Sequence, residues 1–205
     1  MSAVPVDLAA KLRKVLRIRR AIETGTFRGD GTEALRSVFR NVISIEVHEP
    51  LYQEASKRFD RRRGVTILHG DSALLLPNLI DPSTPTFYWL DGHWTLDVGN
   101  GDPELEPPEN ECPVLAELAA IANGHPDDCV VIDDARFFEV SPPSPHDPAK
   151  WPELMEIMEA LKSAAPERHV TVIADYIVAV PRRAKPRLDD VARGWLGTEG
   201  WSPPW

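Results

Sequence analysis

The sequence predicts an α/β fold in which a seven-stranded, mostly parallel sheet lies between two layers of helices. Short apolar runs alternate with segments of helical periodicity, which is the pattern of βαβ units. The last two runs are only two residues apart, too close for a parallel crossover. With 205 residues, 42% of them hydrophobic and 27% charged, the chain has the size and composition of a single soluble globular domain.

The predicted strands are short runs rich in β-branched and aromatic residues. Only Asp175 and Tyr176 separate the last two runs, so these strands should form an antiparallel hairpin. A dehydrogenase sheet would instead continue with parallel strands. The seven runs cover residues 20–24, 42–47, 65–69, 86–91, 129–133, 170–174 and 177–180.

Helices are predicted between these strands. The first lies within residues 1–20, where Leu8, Leu12, Val15 and Leu16 have helical spacing and the basic residues fall on the other face. We interpret it as a helix that packs on the sheet, and a basic membrane or RNA patch is the alternative. The other predicted helices cover residues 31–39, 50–62, 72–78, 113–123 and 151–164.

Three segments lack a regular pattern. Residues 96–111 and 139–150 are rich in proline and other loop-forming residues, so both are predicted loops. They follow the fourth and fifth strands, and each is either a surface insertion or a lid over a substrate. The tail, residues 182–205, carries three tryptophans, which is typical of a segment that packs on its own domain or on a second copy in a homodimer.

The composition argues against several classes of partner. A formal net charge of −9 disfavours binding to nucleic acid phosphates. The chain has no apolar run of about 18 residues and no signal-peptide pattern, so we expect a cytoplasmic protein without a membrane partner. Cys112 and Cys129 lack the spacing of a metal or redox pair. A small-molecule substrate is the remaining expectation.

A glycine-containing turn follows the first predicted strand. Residues 23–32 read ETGTFRGDGT, and such a turn lets a ligand approach the backbone and the free N–H groups of a helix start. Many α/β proteins have this turn for structural reasons alone. Glu46 ends the next strand about 20 residues further on, where dinucleotide sites place an acidic side chain on the ribose. The alternative for Glu46 is a solvated carboxylate.

Carboxylates also follow the fourth and fifth predicted strands. Asp91 and His93 lie in DGHW, and Asp133 and Asp134 follow the next strand. Neighbouring strand ends bring the three carboxylates together, where two charges about 4 Å apart repel by about 4 kcal/mol near a protein surface. A divalent cation relieves this repulsion, and oxygen ligands favour Mg²⁺ or Ca²⁺. Alternatively, one aspartate caps a turn and the other faces solvent.

These motifs resemble those of the class I S-adenosylmethionine (SAM)-dependent methyltransferases. The resemblance runs through ETGTFRGDGT, SIEVHEPLY, HGDS and WLDGHW, over residues 21–181, with Phe27 where the family often has a third glycine. It implies a Rossmann-like sheet with strand order 3-2-1-4-5-7-6 and SAM as the cofactor. The implied contacts are Glu23 with the methionine amino group, Gly25, Thr26 and Gly29 around the amino-acid moiety, Glu46 on the ribose, Asp71 and Ser72 beside the adenine, and Asp91 near the methyl group.

Within this family, the aspartates resemble those of the macrocin-type, Mg²⁺-dependent O-methyltransferases. That resemblance implies Asp91, Asp133 and Asp134 as metal ligands. Those enzymes tend to have a further aspartate as base where this chain has His93, whose imidazole can accept a hydroxyl proton near neutral pH. A hydrogen-bonded structural histidine is the alternative. We expect O-methylation of a small hydroxylated metabolite or sugar; a non-catalytic SAM-fold module and a nicotinamide-dependent oxidoreductase are the competing hypotheses.

Overall fold

The computed structural model describes residues 3–94 and 108–198. Their strands are β1 (Arg20–Thr24), β2 (Asn41–Glu46), β3 (Val65–His69), β4 (Thr86–Leu90), β5 (Cys129–Ile132), β6 (Arg168–Ile173) and β7 (Tyr176–Pro181). They form one sheet in the order β3-β2-β1-β4-β5-β7-β6, which confirms the expected topology. Strands β1 to β5 pair in parallel, and β7 is antiparallel to both β5 and β6, so the terminal hairpin is also confirmed.

All the predicted helices are present, most of their ends differ by one to three residues, and two further helices, residues 136–139 and 185–198, were not predicted. The predicted helix 72–78 is one short helix followed by a 3₁₀ turn, because Pro77 lacks the N–H that a continuing α-helix needs. The predicted helix 151–164 begins at Leu154, since Glu153 and Glu156 form a capping box there. The helices are α1 (Val6–Leu16), α2 (Asp30–Val38), α3 (Glu49–Phe59), α4 (Ser72–Leu75), α5 (Val114–Ile121), α6 (Arg136–Glu139), α7 (Leu154–Ala164) and α8 (Lys185–Thr198).

Alternate residues of the strands build one apolar cluster on each face of the sheet. In β4, Phe87 and Trp89 belong to the cluster that includes α1, α2 and α8. Tyr88 and Leu90 belong to the opposite cluster, which includes α5 and α7. Every residue of β4 is buried, as expected for a central strand covered on both faces. The whole of β4 is therefore core, and Asp91 follows directly at its carboxyl end.

The N-terminal helix and the C-terminal tail lie on the same face of the sheet. Leu8, Leu12 and Leu16 of α1 are buried while its basic side chains are exposed, which confirms the packing interpretation. The tail, for which the sequence predicted no element, forms α8, and Trp195 donates a hydrogen bond from Nε1 to Asp7 Oδ2 at 3.0 Å. Trp201 and Trp205 lie outside the described residues.

The two predicted loops follow β4 and β5 in the sequence. Between residues 140 and 150 the chain is irregular except for the 3₁₀ turn Pro148–Lys150, as predicted. Most of the other predicted loop, residues 96–107, lies outside the described part of the chain. Within the described part, helices long and apolar enough to cross a membrane are absent.

Candidate active site

A cavity of about 620 Å³ lies at the carboxyl ends of the parallel strands. Its walls include Gly25 after β1, Glu46 at the end of β2, Asp71 after β3, Asp91 after β4 and Asp133 after β5. Open α/β sheets bind their ligands at this edge, and the volume is typical of a small-molecule site. Five positions singled out in the sequence thus share one cavity.

The turn after β1 requires glycine at two positions. Gly25 has φ +78°, and a Cβ there would lie 2.1 Å from the backbone oxygen of Asp91. Gly29, with φ +85°, precedes α2, and a Cβ there would lie 2.6 Å from the Phe59 ring. Gly25 lines the cavity, whereas Gly29 does not, so the second glycine serves packing in this structure.

Glu46 joins the turn after β1 to the turn after β2. It is 4% exposed, and its two oxygens accept backbone N–H groups from Phe27 at 2.8 Å and His48 at 2.9 Å. Phe27 itself has φ +48°, the left-handed conformation that glycine adopts more readily. Each carboxylate oxygen can accept more than one hydrogen bond, so Glu46 keeps acceptor capacity on the cavity wall.

Glu23 and Thr26 lie behind this turn instead of on the cavity wall. Glu23 Oε2 accepts hydrogen bonds from Thr32 and, at 2.6 Å, from Ser44 Oγ, which is 2.5 Å from Thr26 Oγ1. Burial raises the pKa of Glu23 to about 7, although the two hydroxyl donors lower it. These contacts support the turn. A direct contact of Glu23 or Thr26 with the methionine part of SAM stays a prediction.

Asp71 and Ser72 line the cavity after β3. Asp71 caps α4 by accepting the N–H of Ala73 at 2.8 Å, and Ser72 Oγ donates to Glu117 Oε1 at 2.5 Å. Burial raises the pKa of Glu117 to about 7, while the bond from Ser72 lowers it. The sequence analysis missed Glu117. Its signal is that α5 reads VLAELAAI, so a lone carboxyl stands in a helix that is apolar on nearly all sides.

Glu117→Gln should stabilise the protein at pH 8 and have little effect near pH 4.5. The folded state holds the Glu117 proton more tightly than the unfolded chain, so stability falls as the pH rises from about 4.5 to about 7. Glutamine resembles the protonated acid and avoids this loss, which amounts to about 3 kcal/mol. Thermal unfolding at both pH values measures the effect, with Glu54→Gln on the exposed side of α3 as control. Equal shifts at both pH values would contradict it.

The turns after β4 and β5 bring Asp91, His93 and Asp134 together. His93 Nε2 lies 3.0 Å from Asp134 Oδ2 and 4.0 Å from Asp91 Oδ1. One ligand atom from each of the three residues lies within 4.8 Å of the others. Asp133 is not part of that group; its Oδ1 accepts the N–H of Asp134 at 2.9 Å. The structure therefore groups two carboxylates with an imidazole, where the sequence suggested three carboxylates.

The charges within this group shift the pKa of each of its three members. Burial raises the pKa of Asp91 well above its ordinary value; His93 lowers it, and Asp133 and Asp134 raise it further. Burial lowers the pKa of His93, but the hydrogen bond with Asp134 and the charge of Asp91 outweigh burial and raise it. For Asp134, burial acts upward, yet His93 and Arg136 bring the pKa below its ordinary value.

Arg136 is a second residue that the sequence analysis missed. Its Nη1 lies 2.7 Å from Asp134 Oδ1 and also pairs with Asp175 in the β6–β7 turn. The guanidinium carbon lies 4.5 Å from the centre of the Phe137 ring. Arg136 lines the cavity, and its signal was its position in DDARFF, two residues after Asp134.

Aromatic rings enclose His93. The centre of its imidazole lies 5.3 Å from that of Trp151, 6.2 Å from that of Phe137 and 6.3 Å from that of Phe138. These residues come from the segment between β5 and α7, which includes the predicted loop 139–150. The His93 side chain is only 4% exposed as a result. Apolar walls of this kind keep water from a reacting group.

A buried glutamate, the last residue of the first predicted loop, contacts the second predicted loop at this end of the cavity. Glu111 is 3% exposed; its Oε1 lies 3.0 Å from Lys150 Nζ, and its Oε2 accepts the N–H of Asp147 at 3.2 Å. Its backbone oxygen accepts the N–H of Trp94 at 2.8 Å. Residues 108–110 of the first predicted loop line the cavity, and Glu111 connects this stretch to residues 147–150 of the second.

The chain is similar to known proteins in structure but not detectably in sequence. No protein-family model matches it, and neither does the sequence of any curated protein. An O-methyltransferase from Bacillus cereus, solved in complex with S-adenosylhomocysteine (SAH), matches with a TM-score of 0.62 at 19% identity, over 89% of this chain and 82% of that one. The O-methyltransferase TomG from Streptomyces achromogenes, solved with SAM, matches with a TM-score of 0.58 at 19% identity, over 88% and 81%. The chain has the Rossmann-like methyltransferase fold.

A third structure with this methyltransferase fold is the SAH-bound methyltransferase PaMTH1 from Podospora anserina, with a TM-score of 0.58, 14% identity and coverage of 86% and 75%.

Within the methyltransferase fold of this chain, the residues predicted to bind the cofactor divide into two sets. Glu23, Thr26 and Gly29 lie behind the first turn. The cavity wall carries Gly25, Glu46, Asp71, Ser72 and Asp91.

Proposed function

We propose that the protein is a SAM-dependent methyltransferase that methylates a hydroxyl group of a small molecule, such as a metabolite or sugar. One observation carries the proposal: in a methyltransferase fold, one cavity joins the Gly25 turn and Glu46 to the group of Asp91, His93 and Asp134. The solved structures with SAM or SAH that share this fold include O-methyltransferases. The antiparallel hairpin speaks against a dehydrogenase.

The cofactor would lie across the turns after β1 to β4. Glu46 would accept hydrogen bonds from the ribose hydroxyls with its remaining lone pairs, and Asp71 and Ser72 would border the adenine. Gly25 has no side chain, so the methionine part can approach the backbone there. This placement puts the methyl group near Asp91 and His93, at the end of the cavity that Phe137 and Trp94 enclose.

Methyl transfer to a hydroxyl group requires the protein to align the acceptor with the methyl group and to remove one proton. The acceptor oxygen attacks the methyl carbon as the carbon–sulfur bond breaks, and SAH leaves with the electron pair. The protein must hold oxygen and methyl about 3 to 3.5 Å apart and exclude water. The hydroxyl proton would pass to the imidazole of His93, and the carboxylates of Asp91 and Asp134 would stabilise the imidazolium that forms.

The same residues fit a divalent cation, and with a cation bound His93 would be a ligand instead of the base. Asp91, His93 and Asp134 each offer one ligand atom, and Asp133 lines the same cavity. Two oxygens and one nitrogen suit Mn²⁺ or Zn²⁺ as well as Mg²⁺, which prefers oxygen alone. A bound cation would polarise the acceptor hydroxyl and lower its pKa. Mg²⁺ assistance is therefore part of the proposal that the first experiment has to test.

Calorimetric titration of the purified protein with SAM and SAH, in EDTA or in Mg²⁺, tests the function, with NAD⁺ as the control ligand. We expect micromolar binding of SAM and SAH and none of NAD⁺. Glu46→Ala should weaken SAH binding by more than about tenfold, because hydrogen bonds to a charged group are lost. Binding of NAD⁺ alone would favour the oxidoreductase, and binding of neither would overturn the proposal. SAH binding without any turnover would favour the non-catalytic module.

A further inference from the structure

We propose that Asp175, in the turn of the terminal hairpin, is a positioning residue of the candidate active site. It acts through Arg136 and Asp134 on His93, so four charged or titratable side chains form one continuous chain of contacts. The catalytic consequence rests on the proposed methyltransferase function. The positioning itself does not, and it can be measured without an acceptor.

The first link ties the hairpin to the start of α6. Asp175 Oδ1 accepts the backbone N–H of Arg136 at 3.0 Å, and Oδ2 pairs with the Arg136 guanidinium. The backbone oxygen of Asp175 accepts the N–H of Ala135 at 2.9 Å. The turn therefore fixes both the backbone that follows Asp134 and the side chain that contacts it.

The sheet register explains why a hairpin turn reaches this site. Ile132 at the end of β5 pairs with Ile177 near the start of β7. Asp175 precedes that partner by two residues, so it lies beside the carboxyl end of β5, from which Asp134 follows. Because β7 runs antiparallel to β5, the turn before β7 lies at the carboxyl ends of the parallel strands, where the cavity is.

The second link fixes the Asp134 carboxylate. Arg136 Nη1 lies 2.7 Å from Asp134 Oδ1, and packing on the Phe137 ring limits the movement of the guanidinium. Asp134 has φ +56°, a conformation that costs free energy for a residue other than glycine and that persists only when its surroundings hold it. Arginine suits this place because its planar guanidinium packs on the Phe137 ring while Nη1 contacts both carboxylates.

The third link transmits this order to His93. Asp134 divides its oxygens: Oδ1 contacts Arg136, and Oδ2 lies 3.0 Å from His93 Nε2. Because Arg136 fixes one oxygen, the carboxylate cannot rotate without losing that ion pair, and Oδ2 stays directed at the imidazole. Without the charge of Asp175, the guanidinium loses one of the two carboxylates that hold it, and the orientation of the imidazole loosens.

Asp175→Asn tests the proposal against a matched control. Asp127→Asn makes the same substitution in the Asp127–Arg183 ion pair, whose aspartate is 22% and arginine 56% exposed, against 29% and 49% for Asp175 and Arg136. Asp127 precedes β5, so its pair lies at the opposite end of that strand from Asp134. Far-UV circular dichroism and thermal unfolding establish that both variants are folded.

The decisive readout is the ¹⁵N NMR spectrum of the histidine rings at one fixed pH, with His93 assigned from a His93→Gln sample. We expect Asp175→Asn to move the His93 Nε2 resonance in the direction that Asp134→Asn moves it, and Asp127→Asn to leave it in place. Arg136→Lys keeps the charge but shortens the side chain and loses the planar group that packs on Phe137, so it should move the resonance in the same way. Turnover should fall about tenfold in Asp175→Asn while SAH affinity is unchanged.

Identical His93 spectra in wild type, Asp175→Asn and Arg136→Lys would overturn the proposal and leave Asp175 as a turn residue only. A change of SAH affinity equal to the change of turnover would also overturn it, since the effect would then be general to the cavity. Failure of the proposed function looks different: the wild-type protein would not bind SAH, and the His93 spectra would still decide whether Asp175 positions the imidazole.

Discussion

Gly25→Ala is expected to abolish SAH binding and to lower the free energy of unfolding by about 3 kcal/mol. The backbone of Gly25 has φ +78°, which is unfavourable for alanine. The added Cβ would also lie 2.1 Å from the carbonyl oxygen and 2.7 Å from the carbonyl carbon of Asp91. A side chain could rotate away from such an overlap, but backbone atoms cannot, so the turns after β1 and β4 must move apart. Urea unfolding and SAH calorimetry measure the two effects.

Gly194→Ala provides the matched control for this substitution. Gly194 is exposed in α8, and a Cβ there would meet no heavy atom within 4 Å. Alanine should therefore stabilise that helix by up to about 1 kcal/mol and leave SAH binding unchanged. If Gly25→Ala bound SAH with the affinity of the wild type, the Gly25 turn would not belong to the cofactor site, and the placement of SAM across β1 would be wrong.

The fold was predictable because local patterns repeat along the chain and agree with one another. Apolar runs such as Thr86–Leu90, which is buried on both faces, are typical of central strands. The two-residue link before β7 is too short for a parallel crossover, so it predicted that the last two strands are antiparallel. Helix ends were less accurate because single residues decide them, as Pro77 and Glu153 do.

The C-terminal helix was not predicted, and the reason is its dependence on tertiary contact. Lys185–Thr198 contains two glycines and a proline near its start, so its local helix propensity is modest. Leu188 and Val191 are nevertheless buried in the cluster that also contains α1, and Trp195 bonds to Asp7 of that helix. Packing with residues far away in the sequence supplies the stability that the segment itself lacks.

The candidate site was predictable where it depends on strand ends and not where it depends on loops. Parallel strands bring their carboxyl ends to one edge, so the sequence alone was enough to group Glu46, Asp91 and Asp134. Which oxygen meets which partner depends on the approach of Arg136 and of the β6–β7 turn. Those contacts join residues about 40 positions apart, such as Arg136 and Asp175, and no local pattern encodes them.

His93→Gln is expected to lower methyl transfer on the order of 10³-fold and to leave SAH affinity unchanged. Glutamine is close to histidine in reach and can donate a hydrogen bond to Asp134, so the group should keep its arrangement. Its amide cannot accept a proton, however, and the acceptor hydroxyl then has no base between Asp91 and Asp134. The measurement is SAH formed from SAM in the presence of a library of phenols, catechols and glycosides, beside SAH calorimetry.

The control for His93 is His169→Gln on β6, which should leave both quantities unchanged because that residue does not line the cavity. Added imidazole should restore part of the turnover of His93→Ala, since it supplies the missing proton acceptor in the space that the side chain vacates. Equal losses of turnover and SAH affinity in His93→Gln would make His93 a structural residue. Full turnover would assign proton removal to Asp91, whose pKa burial raises and whose carboxylate lies on the same wall.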